Sequence, residues 1–233
     1  MSVKMLALPY AGGSASVFSD WTENLKPEID LTPVEYAGHS SRFCEPFFAS
    51  IEDAAEDISE SIIKYQKGDY VIFGHSMGCL VALETAFVLM RKNAILPRAI
   101  IVSSTRPPHL LYKDKPLQDL SKKDLLNEIV SLGQFDPEVL ECEELCEMIA
   151  DVLYADVQMF SKYKRSPEAG KIDIPMLAVT GEKDDEAPVE DMMEWQKYTS
   201  GEFQFKAFPG GHFFPFEDNK EFASMLLRYV NSL

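Results

Sequence analysis

The chain has 233 residues, 46% of them hydrophobic, which is enough for one large core, and we expect a single domain over residues 1–233. A net charge of −16 argues against nucleic acid and anionic membranes as partners, and no apolar run reaches the roughly 18 residues of a membrane span. The N-terminus lacks a signal-peptide pattern and the four cysteines lack a disulfide-framework spacing, so we expect reduced thiols and a cytoplasmic monomer.

The first predicted element is a short apolar strand over residues 5–8, followed by a Gly-rich loop over residues 9–15. Such a loop after an early strand suits half of an oxyanion hole, the pair of N–H groups that stabilises the negative oxygen formed in acyl transfer. We therefore assign one donor to the backbone N–H of Ala11. Without the motif at residue 76, the loop would be a plain turn before the helix predicted over residues 17–25.

The next strand is predicted over residues 31–36, and the polar loop Ala37-Gly38-His39-Ser40-Ser41-Arg42 follows it. Ser50 is the predicted N-cap of a helix with an apolar stripe from Ile51 to Tyr65. The acidic residues of this helix form a solvated face and favour its N-terminal half, so we do not interpret them as an acid–base pair.

The pattern Gly74-His75-Ser76-Met77-Gly78 lies between an apolar strand over residues 70–73 and a run of good helix formers. In this position Gly-x-Ser-x-Gly is a nucleophile elbow, a sharp turn that holds the serine hydroxyl above the edge of the sheet. The N–H of Met77, directly after the nucleophile, is the second expected oxyanion donor. Without the flanking strand and helix, the pattern would be a common Gly/Ser turn with no chemistry.

A fourth strand is predicted over residues 99–102, and the alternation of strands and helices indicates a parallel sheet. From about residue 110 to 170 this alternation stops, and helices are predicted over residues 117–132 and 142–163. A helical insertion between two strands is where a lid over an active site would lie. Two further helices are predicted over residues 188–198 and 222–233.

Several candidate ligands and bases receive no catalytic role. Cys142 and Cys146 lie four residues apart without an accompanying histidine, so we interpret them as half-buried structural thiols rather than a metal pair. His75 lies inside the elbow and is expected to pack or hydrogen-bond locally. His39 and His109 lie in loops that could border a substrate entrance, but surface histidines without a role are the preferred interpretation.

Two strand ends in the second half of the chain carry the remaining catalytic candidates. Asp184 follows the strand predicted over residues 175–180, where it is placed to orient a histidine, and Asp185 is the alternative. Without the elbow, this segment would be a solvated acidic turn. His212 follows the last predicted strand, residues 203–208, in a Gly-rich loop.

The chain order Ser76, Asp184, His212 is that of α/β-hydrolases, so we expect a mostly parallel central sheet flanked by helices, with a helical lid inserted at about residues 110–170. Ser76 would attack an acyl carbonyl while His212 accepts its proton and Asp184 holds the imidazole. This mechanism requires no metal or organic cofactor. The spacing indicates a hydrolase or acyl transferase and does not distinguish esters, thioesters, amides and lactones.

Beyond these three residues, the chain resembles type II thioesterases, the stand-alone editing enzymes of polyketide synthases and nonribosomal peptide synthetases. The matching segments follow one another along nearly the whole chain, at residues 8–14, 74–78, 102–108, 181–184 and 210–214. Gly-His-Ser-Met-Gly and Gly-Gly-His-Phe-Phe are the more specific of them. One departure is the loop after the second strand, where a Pro-Gly-Arg-like sequence is replaced by Ala37-Gly38-His39, with Arg42 nearby.

The resemblance implies that the substrate is an acyl group on the phosphopantetheine thiol of an acyl or peptidyl carrier protein, and that aberrant or stalled acyl units are removed. Because carrier proteins are usually acidic like this chain, recognition would rest on an apolar patch or a local basic cluster. The candidate lid lysines are Lys113, Lys115, Lys122 and Lys123. The alternatives are a medium-chain fatty acyl thioesterase, a carboxylesterase on the same fold and a catalytically inactive binding module.

Overall fold

The computed structural model describes residues 2–111, 119–131, 142–217 and 219–233, and within them six parallel strands form one sheet. The strand order is β2-β1-β3-β4-β5-β6. The strands are β1 (Val3–Leu8), β2 (Ile29–Pro33), β3 (Tyr70–His75), β4 (Ile100–Ser103), β5 (Met176–Gly181) and β6 (Phe203–Phe208). The predicted parallel α/β sheet is confirmed.

Helices cover both faces of this sheet. In chain order they are α1 (Trp21–Leu25), α2 (Ile51–Tyr65), α3 (Met77–Arg91), α4 (Lys122–Ser131), α5 (Glu143–Lys162), α6 (Val189–Met192), α7 (Phe214–Glu217) and α8 (Asn219–Ser232). Helices α2 and α3 pack in one core cluster, and α1 and α8 pack in the other. None of the helices in these described residues is both long and apolar enough to span a bilayer.

The side chains of alternate residues in a strand pack into the two core clusters on opposite faces of the sheet. In β1, Leu6 and Leu8 pack on the side of α2 and α3, whereas Met5 and Ala7 pack on the side of α1 and α8. This follows from the two-residue period of an extended chain. Every residue of β3 is buried, as expected for the central part of a parallel sheet covered on both faces.

The strand order reverses next to β1, which pairs with β2 on one side and β3 on the other. In open parallel sheets, the crevice at the carboxyl ends of two such strands is the usual ligand site. The Gly-rich loop after β1 and the Ser76 turn after β3 both reach this crevice. The loops after β5 and β6 end at the same edge.

Several predicted element boundaries were wrong. The second strand ends at Pro33 rather than residue 36, although the N–H of Val34 still donates to the carbonyl oxygen of Ala7 at 2.9 Å. The helix expected over residues 17–25 is a 3₁₀ turn, Ala15–Phe18, followed by the short α1. Likewise, the helix expected over residues 188–198 is α6 followed by a 3₁₀ segment, Met193–Tyr198.

The inserted segment is described only in part. The helix predicted over residues 117–132 runs from Lys122 to Ser131 in the structure, and residues 112–118 and 132–141 lie outside the described residues. Each of the four cysteines carries a thiol and none is part of a disulfide among the described residues. Cys146 is half-buried, as expected, but Cys142 is exposed because it lies at the N-cap of α5.

Candidate active site

Ser76 lies on a strained turn between β3 and α3. Its φ and ψ are +52° and −120°, a conformation that non-glycine residues rarely adopt and that typically costs about 1–3 kcal/mol. Its N–H donates to the carbonyl of Ser103 at 2.8 Å, which ties the turn to β4. A Cβ on Gly74 would lie 2.3 Å from the carbonyl oxygen of Gly78, so glycine is required for the turn to close.

Gly78 brings the loop after β1 against the start of α3. A Cβ at this position would lie 2.4 Å from the carbonyl oxygen of Leu8 and 2.8 Å from that of Pro9. The two glycines of Gly-x-Ser-x-Gly therefore allow two close backbone contacts. Gly74 contacts Gly78 within the elbow, and Gly78 contacts the end of β1. The second contact places the segment that carries Ala11 beside the N-terminus of α3.

Replacing Gly78 with alanine is expected to lower the free energy of unfolding by about 2 kcal/mol or more, because the added methyl group meets backbone atoms that do not rotate away. Urea denaturation followed by circular dichroism measures this. Gly68→Ala is the matched control, since a Cβ at Gly68 meets nothing within 4 Å, and a change within about 0.5 kcal/mol is expected there. Equal stabilities of the two variants would contradict this account of the elbow.

Two amide groups at the crevice have no acceptor among the residues that the structure describes. Met77 occupies the first position of α3, where the N–H has no partner within the helix. Within the described part of the chain, the N–H of Ala11 makes no hydrogen bond either, although that of Gly12 does. Both groups proposed as oxyanion donors are thus available to a ligand.

The loops after β5 and β6 bring an acid and a base together. A Cβ on Gly181 would lie 2.3 Å from the carbonyl oxygen of Gly211, so the two loops touch through their backbones. The Nδ1 atom of His212 lies 3.2 Å and 3.1 Å from the two carboxylate oxygens of Asp184. Asp185, the alternative acid, is exposed.

The environment of Asp184 favours its ionised form. Burial by itself would raise the pKa of this carboxyl, but the hydrogen bond and the charge of His212 outweigh it, and the pKa is lowered. The N–H groups of Glu186 and Ala187 also donate to Oδ1, at 3.0 Å and 3.2 Å. An ionised carboxylate on Nδ1 leaves Nε2 of the imidazole as the atom that can accept a proton.

His212 lies beside the elbow, but its imidazole does not hydrogen-bond to the hydroxyl of Ser76 in the described structure. Its ring centroid is 5.3 Å from that of His75, the residue before Ser76. Considering only residues that the structure describes, no hydrogen bond joins the imidazole of His212 to the hydroxyl of Ser76. Such contacts are often long without substrate and tighten when substrate binds.

His75 supports the elbow through local contacts, and its buried Nε2 has no hydrogen-bond partner among the described residues. Its ring is fully buried, and Nδ1 lies 3.0 Å from the hydroxyl of Ser103. Burial, reinforced by the charge of His212, lowers the pKa of His75 well below its ordinary value of 6.5. The imidazole therefore stays neutral, and it packs locally as predicted.

The two loop histidines are not surface residues, so that prediction was wrong. His39 is only 2% exposed and contacts Asp156 of α5. His109 is half-buried, and its Nδ1 lies 3.1 Å from the hydroxyl of Tyr198. Sequence reasoning missed Asp156 altogether, because a single acid in an amphipathic helix resembles the other charged residues around it.

The helices of the insertion lie against the proposed oxyanion loop. Leu125 of α4 packs with Leu153 and Val157 of α5, and Ala11 packs against this cluster. Leu153 also covers Gly12, since a Cβ there would lie 3.3 Å from the leucine side chain. Among the described residues, no cluster of three or more His, Cys, Asp or Glu side chains could hold a metal ion.

An all-parallel sheet with a serine on a strained strand-to-helix turn, and an Asp–His pair at the same edge, defines the α/β-hydrolase class. Within that class, the family model of the thioesterase domain matches residues 4–229. The chain therefore belongs to the thioesterase family, whose members are hydrolases that act on thioesters.

The relatives include thioesterases of bacterial biosynthetic pathways. The chain is 35% identical over 214 residues to the thioesterase PikA5 of Streptomyces venezuelae, covering 91% of this chain and 75% of that protein. It is 33% identical to RedJ, a thioesterase of the prodiginine pathway in Streptomyces coelicolor, with a TM-score of 0.89 over 97% of this chain and 85% of that one. YbtT, the type II thioesterase of the yersiniabactin pathway, is 26% identical, with a TM-score of 0.88 over 97% and 92%. The resemblance to type II thioesterases is confirmed.

Proposed function

We propose that this thioesterase hydrolyses acyl groups from the phosphopantetheine thiol of an acyl or peptidyl carrier protein, and so removes aberrant or stalled acyl units. The similarity to RedJ of the prodiginine biosynthetic pathway and to YbtT of the yersiniabactin NRPS/PKS pathway supports the substrate class. The observation that carries the catalytic part is the hydrogen-bonded Asp184–His212 pair at the edge of the sheet where Ser76 turns outward.

In the proposed reaction, Ser76 Oγ forms a bond to the thioester carbon while its proton passes to Nε2 of His212. The carbonyl oxygen becomes negative and accepts hydrogen bonds from the N–H groups of Ala11 and Met77. The C–S bond then breaks, and the thiolate takes the proton from His212. Because thiolates leave more readily than alkoxides or amines, this step asks less of the general acid than it would in an amidase.

Release of the acyl group repeats the sequence with water. His212 accepts a proton from water, whose oxygen attacks the carbonyl carbon of acyl-Ser76, and the same two N–H groups stabilise the second oxyanion. Collapse returns the proton to Ser76 Oγ and frees the carboxylic acid. Throughout, Asp184 stays ionised and stabilises the imidazolium through Nδ1.

Recognition of the carrier is proposed to rest on an apolar surface of the insertion. Lys113 and Lys115 lie outside the described residues. Lys122 hydrogen-bonds to Asp151 at 2.6 Å, whereas Lys123 is exposed. On the same helix as Asp151, the exposed apolar side chains Leu145 and Met148 are 38% and 67% exposed and lie three residues apart, so they share one face of α5.

The test is hydrolysis of a panel of acyl-carrier proteins, acyl-pantetheines and matched oxyesters, with Ser76→Ala as the blank. We expect carrier-bound thioesters to give the highest kcat/KM, with oxyesters well below. A preference for oxyesters would indicate a carboxylesterase instead. A chain-length profile that peaks at long acyl groups would indicate an enzyme that sets fatty acid length.

A further inference from the structure

A single carboxylate oxygen joins the insertion to the loop after β1. Asp156 lies on α5 and is 3% exposed. Its Oδ2 accepts the backbone N–H of Gly12 at 2.8 Å and lies 2.9 Å from Nε2 of His39. Three segments that are far apart in sequence therefore meet at one atom, next to the residue proposed as an oxyanion donor.

The contacts of His39 suit a ring that is protonated on both nitrogens. Nδ1 lies 3.1 Å from the carbonyl oxygen of Ala37, and Nε2 faces Asp156. Neither a carbonyl nor an ionised carboxylate donates a hydrogen bond, and a neutral imidazole donates from one nitrogen only. With an ionised Asp156, these contacts are those of an imidazolium.

The surroundings agree with a charged ring. Burial by itself would lower the pKa of His39, but the hydrogen bond to Asp156 and its charge outweigh this, with a smaller effect of Glu35, and the pKa is raised. The Tyr36 ring packs edge-on at 5.7 Å, and burial raises the pKa of its hydroxyl, so that group stays neutral. The guanidinium of Arg42 donates to the carboxylates of Glu45 and Asp57.

Gly12 connects this pair to the chemistry. It adopts φ +79°, a left-handed conformation that glycine takes readily, and it follows Ala11 directly. Fixing the N–H of Gly12 fixes the peptide plane beside the Ala11 donor. A lone carboxylate in this place would oppose a developing oxyanion, and the imidazolium of His39 offsets that charge.

We propose that Asp156 is a positioning residue, which holds the oxyanion loop through the Gly12 N–H in partnership with a charged His39. The inference rests on the proposed function, because it assigns Ala11 a role in stabilising the oxyanion. It adds that the inserted helix α5 maintains the catalytic loop as well as covering it.

The pairing has a defined pH dependence. Since the pKa of His39 is raised in the folded protein, the stabilising contribution of the pair is fully present below the ordinary value of about 6.5 and is lost as pH rises through the raised value. Above it, the neutral ring keeps its one proton on Nε2 toward Asp156, the bond from Nδ1 to the Ala37 carbonyl is lost, and the ring no longer offsets the carboxylate charge beside the oxyanion loop. The wild-type enzyme should therefore show a fall in kcat on the alkaline side.

Two substitutions separate positioning from a purely structural role. Asp156→Ala removes both contacts, and kcat for an acyl-pantetheine should fall about 10- to 100-fold with KM changed less than about threefold, the cost of a misplaced donor. Asp156→Asn keeps one uncharged oxygen at that position, which can accept from the Gly12 N–H and from Nε2–H of neutral His39, so it should recover most of kcat and lose the alkaline fall. Asp151→Ala is the matched control, as Asp151 lies on the same helix but is exposed and paired with Lys122.

Circular dichroism and a melting curve accompany each variant. If Asp156→Ala is folded and keeps kcat within twofold, the inference is wrong, while Ser76-dependent hydrolysis by the wild type would leave the proposed function standing. If Asp156→Ala does not fold, the pH profile of Asp156→Asn decides, and an unchanged alkaline fall contradicts the proposal.

Nitrogen NMR of the wild-type imidazoles tests the pair without any variant or substrate. We expect the His39 signals of a doubly protonated ring at pH 6.5, with a midpoint above that value. A neutral tautomer at pH 6.5 would overturn the inference. The NMR result does not depend on activity toward thioesters. A failure of the inference about His39 and Asp156 can therefore be distinguished from a failure of the proposed function.

Discussion

Ser76→Ala is expected to lower kcat for acyl-carrier hydrolysis by a factor on the order of 10⁴ to 10⁶, because no other group takes over the bond to the acyl carbon. The residual rate would come from the oxyanion donors and substrate binding. Single-turnover assays with an acyl-carrier protein measure the loss. Mass spectrometry of quenched wild-type enzyme should show an acyl adduct on the peptide that contains residue 76.

The matched control is Ser61→Ala, which changes an exposed serine of α2 and should leave kcat unchanged. Binding of the acyl-carrier protein to Ser76→Ala should persist, since the substitution removes one oxygen from a half-exposed site. Retention of more than about a tenth of the wild-type rate would contradict nucleophilic catalysis by this residue and point to another serine or to direct attack by water.

The second large effect is expected for Asp184→Asn, with a loss of about 10⁴ in kcat. The asparagine amide would fit the same space but favours the opposite tautomer of His212, which leaves no lone pair toward Ser76. Because the pKa of Asp184 lies below its ordinary value of 3.8, the wild-type carboxylate stays ionised as the pH falls to about that value. The contribution of this carboxylate to the stability of the folded protein is lost only as the pH falls through the lowered pKa.

Asp185→Asn provides the comparison at the neighbouring position. Its side chain is exposed, so kcat within about twofold of wild type is expected. Equal losses in the two variants, or a larger loss for Asp185→Asn, would show that the loop after β5 rearranges before catalysis. Steady-state assays with acyl-pantetheine, at matched levels of folded protein, give the ratio directly.

Which parts of this site were predictable depends on the range of the interactions involved. The elbow was predictable because its cause is local: a buried strand, two glycines that allow close backbone contacts, and a helix directly after the serine. The acid and base were predictable as candidates because parallel strands place their carboxyl ends at one edge. Asp184 and Asp185 both satisfied that rule, and only the folded loop shows which carboxylate contacts His212.

The sequence by itself determined the class of fold, the order of catalytic residue types and the resemblance to type II thioesterases, since each depends on residues close together or on strand ends in a fixed order. The tertiary structure decided the rest. His39 and Asp156, 117 positions apart, meet under the insertion, and neither carries a local pattern that would predict it. The contact between His39 and Asp156 exists only because packing brings two distant segments together, so it depends on the three-dimensional arrangement of the chain.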